Sequence, residues 1–456
     1  MASSEEALES LFRASNSSNL EDSLEILIRN SKSDAGRFDL VLPAVLSIIR
    51  SLNNHDDDVL SLCFKLLRNL CAGEIANQNS FLDHGGVVVV SGILRSHADS
   101  ADPPNHGLVC LGLHVLANVS LAGNHHQRAI WEELYPSGFL SLATKETCNP
   151  LCMLIYTCCH GSADFFRDLC SDDGGHVMAQ ILRSASSACV DEDWIKLLLS
   201  RICFEESQFP VLFSKLLPIG QDTQLNDYEF SSEQAFLLQI LSGILNDRTR
   251  DVAVSEDVAL FLFGIFNKSI GVLEHAGRGT STLPTGSAAV DVLGYTLTIL
   301  RDICAQCSGG RNKEDHKDVV DALLSSGLID FLLSLLRDLE PPAIIIEGIK
   351  KFENQEGALH SSKPCPYKGF RRDIVALIAN CVYGRKHAQD EIRHRNGILL
   401  LMQQCVTDVD NPSLREWGIW SVRNMLEGNE ENRNFVAELE VELDGDAEIS
   451  ALGLWV

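Results

Sequence analysis

Apolar residues recur along most of this chain at the three- and four-residue spacing that marks one face of an α-helix. Between residues 38 and 70 they form two such runs, separated by a polar turn at residues 53–56. Further helical runs occupy residues 194–202, 209–217, 232–245 and 258–266. The pattern predicts an all-α protein.

A longer period, marked by asparagine, is superimposed on the helical one. After each of four asparagines a small residue follows at plus four, Gln or Arg at plus nine, and a large apolar residue at plus twelve. The asparagines are Asn69, Asn118, Asn380 and Asn424, and the small residues are Gly73, Ala122, Gly384 and Gly428. Repeats of this kind are helical units that bury their apolar faces only by stacking, so the sequence predicts an armadillo/HEAT-like helical repeat solenoid.

A glycine that opens an apolar helix is the second recurring signal, found at Gly86, Gly138, Gly175, Gly327 and Gly397. We expect this glycine to adopt the left-handed conformation that closes one helix before the next begins.

The regularity of these signals divides the chain into four segments. Residues 1–270 are predicted to be armadillo-like repeats, and residues 271–369 an irregular repeat with long loops at 271–288, 308–316 and 341–369. Residues 370–436 form a compact C-terminal repeat block. Residues 437–456 are an acidic tail without a basic residue, which we expect to be partly disordered.

The balance of charge limits the classes of partner. With 63 acidic and 37 basic side chains the formal net charge is −26, which argues against binding duplex nucleic acid, because phosphate recognition depends on Lys and Arg. Basic peptides and proteins are the favoured partners. The alternative is that the negative charge only keeps a long repeat protein soluble.

Cysteine usage and hydropathy indicate the compartment. The 15 cysteines mostly lie in apolar helical patterns, as Cys63, Cys110 and Cys381 do, which is typical of reduced core thiols in a cytosolic or nuclear protein. The first residues lack the features of a signal peptide, and the longest apolar run, 258–266, is too short to cross a bilayer. We therefore expect a cytoplasmic protein, with the nucleus as the alternative.

The region 370–436 resembles the C-terminal region of the ataxin-10 family. The run Arg415-Glu416-Trp417, the pair Ile419-Trp420, the pair Arg423-Asn424 and the stretch from Leu426 to Asn432 carry the resemblance. It implies an armadillo-like, non-enzymatic cytoplasmic protein, with family roles in cell survival, cytokinesis and signalling through protein partners.

The C-terminal motif also supplies candidate binding residues. In nuclear-import receptors of this fold, a Trp four residues before each Asn helps to bind an extended basic peptide. Here Trp420 precedes Asn424 in that way, but Lys65, His114 and Ala376 hold the matching positions before the other asparagines. The candidate partner-binding residues are Asn69, Asn118, Asn380, Trp417, Trp420, Arg423 and Asn424. The alternative is that the asparagines bond to the backbone of an adjacent turn.

A basic cluster lies in the same region. It comprises Arg371, Arg372, Arg385, Lys386, Arg393 and Arg395. It could dock an acidic segment, including the chain's own tail, or form a solvated helix face. Asn411 or Asp410 is predicted to cap the following helix, with Pro412 at its first position.

Enzymatic and metal-binding patterns are weak. Cys304 and Cys307 form a C-x-x-C pair without two suitably spaced further ligands, and Cys158-Cys159-His160 lacks an activating arrangement. We therefore predict no cofactor and no catalytic residues. The expected function is a scaffold that binds proteins on the concave row of helices; the alternative is a transport adaptor for basic cargo peptides. Self-association through the C-terminal block is left open.

Overall fold

The computed structural model describes residues 20–31, 41–52, 56–98, 105–187, 193–217, 230–247, 252–275, 277–307, 318–346 and 362–445. In these residues helices carry the fold, and β-type pairing is limited to one bridge between Leu339 and Lys363. The chain divides into two compact units, Met1–Leu199 and Ser200–Val456. The all-α prediction is confirmed.

The first unit is a succession of short helices. They are α1 Leu20–Ser31, α2 Val41–Ser51, α3 Asp57–Leu70, α4 Ile75–Asp83, α5 Gly86–Ala98, α6 His106–Ser120, α7 Asn124–Leu134, α8 Ser137–Leu142, α9 Cys148–His160, α10 Ala163–Leu169, α11 Asp172–Ser186 and α12 Asp193–Ser200. Helices α1, α3, α6 and α9 pack side by side in a row, and a pair of helices leads from α3 to α6 and from α6 to α9. The repeating unit therefore has three helices, of which the third joins the row.

The second unit repeats this arrangement with longer insertions. Its helices are α13 Phe209–Lys215, α14 Ser232–Asp247, α15 Glu256–Ser269, α16 Ala288–Cys307, α17 Val319–Ser325, α18 Leu328–Asp338, α19 Phe370–Val382, α20 Lys386–His394, α21 Gly397–Met402, α22 Leu414–Leu426 and α23 Glu430–Gly445. Helices α14, α16, α19 and α22 form its row. Each row helix buries a continuous apolar face; in α19 only Arg372 and Asn380 are more than 9% exposed.

The turns explain why the repeat signature contains glycine. Gly73, Gly384 and Gly428 follow their row helices with φ angles of 77°, 66° and 70°, a left-handed conformation that glycine adopts without steric cost. In the second repeat the residue with positive φ is Gly123, at φ 121° and ψ −172°, instead of the neighbouring Ala122.

The left-handed conformation expected of the helix-opening glycines is confirmed at Gly327, with φ 89°. The expectation was wrong for Gly86 and Gly397. The left-handed residues are Gly85 and Asn396, one position earlier in each case. A side chain on Gly86 would meet the Phe81 ring at 2.7 Å, and one on Gly397 would meet Ile392 Cγ2 at 2.9 Å. These two glycines therefore permit close packing of consecutive helices.

Two irregular segments of the second unit hold each other in place. The backbone N–H of Gly279 donates to the carbonyl of Cys365 at 2.9 Å, and that of Lys368 donates to Ser281 at 2.8 Å. Residues 277–287 and 362–369, parts of two predicted loops, are thus joined to each other. The loop at 308–316 and residues 347–361 lie outside the described residues. Of the predicted acidic tail, residues 437–445 continue α23, and 446–456 lie outside the described part.

Candidate functional site

The signature asparagines lie near the C-terminal ends of the row helices and bond to the preceding row helix. Nδ2 of Asn118 donates to the carbonyl of Arg68 at 2.9 Å, and Nδ2 of Asn424 donates to that of Ala379 at 3.0 Å. In both cases the acceptor immediately precedes the signature asparagine of the earlier helix, Asn69 or Asn380. The amides therefore join one repeat to the next.

The other two asparagines make comparable contacts. Nδ2 of Asn380 donates to the carbonyl of Arg301 at 3.1 Å, and Nδ2 of Asn69 donates to Ser31 Oγ at 3.2 Å. Arg68 and Ala379, by contrast, lie among the last four residues of their helices, whose carbonyls lack partners within the helix, so there the side-chain amide satisfies them.

The glutamine at plus nine reinforces the same junctions. Nε2 of Gln78 donates to the carbonyls of Cys71 and Asn118 at 2.8 and 2.9 Å. Nε2 of Gln389 donates in the same way to Val382 and Asn424, at 3.3 and 2.8 Å. Each of these glutamines thus connects the end of its own row helix to the next one. We call the resulting set of asparagine and glutamine bonds the amide ladder.

The amide ladder includes two positions that sequence reasoning missed. Gln127 Nε2 donates to the carbonyl of Thr157 at 3.2 Å, which places Thr157 at the ladder position of α9. Because Asn380 bonds to the carbonyl of Arg301, Asp302 holds the ladder position of α16. Thr157 is followed by Gly161 at plus four and Leu169 at plus twelve, a signal that a search not restricted to asparagine finds.

Asp302 differs from the ladder asparagines because its side chain ends in a carboxyl group instead of an amide. It is 9% exposed, its Oδ1 accepts from Arg301 Nε at 2.8 Å, and its Oδ2 has no hydrogen-bond partner within the described part of the chain. Burial raises the pKa of this carboxyl above its ordinary value, against the opposing effect of Arg301. A carboxyl group is thus held where four other row helices have a neutral amide.

Helix α22 presents a different kind of surface. Trp420 is 48% exposed and Ile419 40% exposed, whereas Trp417 is half-buried. The Arg423 guanidinium lies over the Trp420 ring at 4.9 Å from its centroid, a cation–π contact. Asn424, one turn beyond Trp420, is only 6% exposed. The two halves of the predicted Trp–Asn pair therefore face different environments.

The predicted basic cluster separates into buried and paired side chains. Arg371 is 2% exposed; its Nη1 donates to Gln404 Oε1 at 3.1 Å and its Nη2 to the carbonyl of Glu340. Lys386 is exposed. The other arginines form ion pairs: Arg372 with Asp373, Arg385 with Asp318 and Asp321, Arg393 with Asp390 and Glu431, and Arg395 with Glu391 and Asp330. Most of this basic charge is thus neutralised by neighbours.

A cleft of about 690 Å³ lies between α18 and α20. Its lining consists of Asp330, Arg337, His387, Asp390, Glu391, His394 and Arg395. Acidic and basic side chains alternate there, and Arg395 already pairs with two of the acids. The cleft therefore offers no surplus of either charge.

The predicted cap at Asn411 belongs to another helix. Asn411 is 2% exposed, and its Oδ1 accepts from the backbone N–H groups of Arg371 and Arg372 at 3.0 and 3.4 Å. It thereby caps α19, whose own N-cap residue, Gly369, has no side chain. Helix α22 begins at Leu414, after Ser413 in a left-handed conformation. The predicted cap of α22 was wrong because a distant helix end takes the same side chain.

Most of the described cysteines lie in the apolar interior, and Cys110, Cys170, Cys365 and Cys405 are partly exposed. Burial raises the pKa of Cys63, Cys71 and Cys158 to about 12, so these thiols stay protonated and are poor nucleophiles at neutral pH. Cys304 Sγ lies 3.7 Å from Cys381 Sγ, and the side chain of Cys307 is outside the described part. The described residues contain no group of three or more His, Cys, Asp or Glu side chains placed to hold a metal.

Membrane insertion of a helix requires sufficient length and apolar composition. None of the described helices alone is long and apolar enough to span a bilayer. Val319–Ser325 and Leu328–Asp338 reach the length and composition only together, and they are bent by 63°.

The row helices, three-helix repeats and amide ladder define an armadillo-like helical repeat protein. Residues 370–456 match the family model described as "Spinocerebellar ataxia type 10 protein domain". Ataxin-10 of Xenopus tropicalis is 23% identical over 396 residues, covering 83% of this chain and 74% of the relative. The C-terminal part of the chain thus matches the ataxin-10 domain, and the chain is similar to ataxin-10 over most of its length.

Two further comparisons show how the similarity is distributed. The ataxin-10 homolog of Dictyostelium discoideum is 37% identical over 90 residues, covering 20% of this chain and 15% of the relative. A designed armadillo repeat protein is similar over 84% of this chain and 99% of its own, at 11% identity and a TM-score of 0.21. That score is too low to bear on the fold, which rests on the helix packing described above.

The amide ladder predicts that the two members of the Trp–Asn pair contribute unequally to stability. We expect Asn424→Ala to lower the free energy of unfolding by about 1–3 kcal/mol, because the carbonyl of Ala379 loses its donor in a buried site. Trp420→Ala should cost less than about 1 kcal/mol, since half of the side chain is already in water. Chemical denaturation measures both, with the exposed Asn434→Ala as control. Equal losses for Asn424→Ala and Asn434→Ala would contradict the ladder.

Asp302 gives a prediction with a pH dependence. Asp302→Asn restores the amide used elsewhere in the ladder, and we expect it to raise the free energy of unfolding at neutral pH by about 0.5–1.5 kcal/mol. Because the folded-state pKa of Asp302 is raised, the native protein takes up the proton more readily than the unfolded chain. Wild-type stability therefore gains as the pH falls through that pKa, and the advantage of Asn shrinks.

Urea denaturation at neutral pH and at pH 5 checks this prediction. Asp291→Asn is the matched control on the same helix, because the Asp291 carboxylate accepts bonds from Thr285 N, Thr285 Oγ1 and Gly286 N at 2.6, 2.8 and 3.3 Å. The control should be destabilised. A comparable loss for Asp302→Asn would show that the ion pair with Arg301 outweighs the cost of burying the carboxylate.

Proposed function

We propose that this chain is a non-enzymatic scaffold that binds other proteins on the outward surface of its row helices. The observation that carries the proposal is the exposed Trp420, with Arg423 stacked on it, on the last row helix. Trp and Arg are the residues most enriched at the energetic centres of protein interfaces, where a large rigid side chain buries much area at little entropic cost. Without a partner, a half-exposed tryptophan leaves apolar area in contact with water, which is unfavourable.

The division of labour along the row supports the proposal. The ladder asparagines use their Nδ2 groups on neighbouring backbone, as Asn118 and Asn424 do. Recognition is then left to the exposed side chains between them, which differ from repeat to repeat. Four residues before their asparagines, Lys65 and Trp420 are exposed, whereas His114 is half-buried and Ala376 is buried. A solenoid surface of this kind suits an extended or helical segment of a partner.

We take the wider biological role from the resemblance to the ataxin-10 family. We propose that the chain acts in the cytoplasm in the processes that the ataxin-10 resemblance implies, namely cell survival, cytokinesis and signalling. The net charge of −26 supports protein partners over nucleic acid. The protonated core thiols and the similarity to ataxin-10 support a role without catalysis. Within this scheme α22 carries the docking surface of the C-terminal block.

Proximity labelling in the native cell tests the proposal. We expect Trp420→Ala combined with Arg423→Gln to remove a defined set of neighbouring proteins, because both groups that distinguish the α22 surface are lost. Val409→Ala is the control, since Val409 is an apolar side chain of the same unit that is 86% exposed and lies outside the row helices.

The variants are compared after helix content and melting temperature are shown to match the wild type. A labelled set that is unchanged in the double variant would contradict a role for α22 in partner binding. A loss that the control shares would mean that exposed apolar surface in general, and not the row, is responsible.

A further inference from the structure

The exposed face of α22 combines two cations with two apolar side chains. Arg415, Ile419 and Arg423 follow one another at intervals of four, so they lie along one face of the helix, and Trp420 lies beside them. All four are exposed. At 1.5 Å per residue, the two arginines are about 12 Å apart along the helix axis. We call this set the α22 stripe.

The two arginines of the α22 stripe have no acidic partner among the described residues. Neither forms an ion pair in the part of the chain that the structure describes, whereas Arg372, Arg385, Arg393 and Arg395 all do. Glu416 and Glu427 are exposed on the same helix but form no ion pair with either arginine. The stripe therefore presents two cations that form no ion pair in the described part of the chain, beside an exposed tryptophan.

The same geometry disfavours a basic ligand. A cargo lysine or arginine stacking on Trp420 would compete with Arg423, which already lies 4.9 Å from the ring centroid, and would meet its like charge. The asparagine that would bind the cargo backbone is also unsuitable, because Asn424 is 6% exposed and its Nδ2 bonds to Ala379. These contacts argue against the adaptor for basic peptides.

We propose that the α22 stripe binds a carboxylate-rich segment of a partner protein. The carboxylates pair with Arg415 and Arg423, and an apolar side chain of the partner packs against Ile419 and Trp420. Pairing with Arg423 leaves its stacking on Trp420 intact, so the ligand gains a charge-assisted bond without displacing the cation–π contact. The inference rests on the proposed scaffold function and specifies its partner class. It reverses the expectation of basic partners drawn from the net charge alone.

Fluorescence anisotropy with the full chain tests the charge preference. The probe is a short fluorescein-labelled peptide in which glutamates flank leucines, and its counterpart carries lysine at every glutamate. We expect the glutamate peptide to bind, the affinity to fall as salt is raised, and the lysine peptide to bind more weakly. Arg415→Gln with Arg423→Gln should weaken the glutamate peptide about five- to tenfold.

A matched control removes the same charge elsewhere. Lys386→Gln with Arg433→Gln changes two exposed cations on α20 and α23 and should leave the affinity within about twofold. The proposal is overturned if the glutamate peptide fails to bind, if the lysine peptide binds more tightly, or if both double variants weaken binding equally.

The outcome separates this inference from the proposed function. If the peptides contradict it while Trp420→Ala with Arg423→Gln still removes neighbours in the cell, the scaffold surface stands and the acidic preference is wrong. Light scattering of the same variants tests whether a second copy of the chain occupies the stripe. A mass that falls in the stripe variants would show that a second copy of the chain occupies the stripe, which also overturns the proposal.

Discussion

The hydrogen bond from a side-chain amide to a main-chain carbonyl of the neighbouring row helix is the interaction on which the repeats depend. Helix ends carry carbonyls that the helix itself leaves unpaired, and stacking helices removes water from them. The bonds from Asn118 to Arg68 and from Gln78 to Asn118 satisfy these groups while they fix the spacing of the repeats. Apolar contacts supply most of the stability, but these bonds determine which turn of one row helix lies against which turn of the next.

The same interaction determines which residues remain for recognition. An asparagine whose Nδ2 is bonded to the neighbouring helix cannot also donate that group to a ligand backbone. The outward positions between the ladder residues therefore carry whatever specificity the row has. On α22 these positions combine exposed apolar groups with Arg415 and Arg423, which lack acidic partners, whereas Arg393 and Arg395 nearby are used in ion pairs between elements of the fold.

Periodicity in the sequence was enough to predict the helices and the repeat, but it could not predict which physical role each residue serves. Asn69 and Asn118 were found by their spacing, while Thr157 and Asp302 were missed because the ladder needs a position on the helix more than it needs one residue type. Gly86 and Gly397 were correctly singled out, yet close packing against Phe81 and Ile392 requires them and the preceding residues make the turn.

The candidate site was less predictable because its character depends on contacts between distant parts of the chain. Arg371 reads as a surface cation beside Arg372, but Gln404 and Glu340 enclose it. The sequence suggests that Asn411 caps the helix that follows it, but its side-chain oxygen accepts from the N-terminus of α19. Neither arrangement has a local sequence signal.

Site-specific photo-crosslinking tests the central claim most directly, because it reports which surface touches a partner. A benzophenone side chain placed at Trp420 is compared with one at His394, an exposed residue of α20 outside the row. The account predicts protein adducts from position 420 that are absent or weaker at position 394. Adducts at 394 with none at 420 would contradict it and place recognition off the row helices.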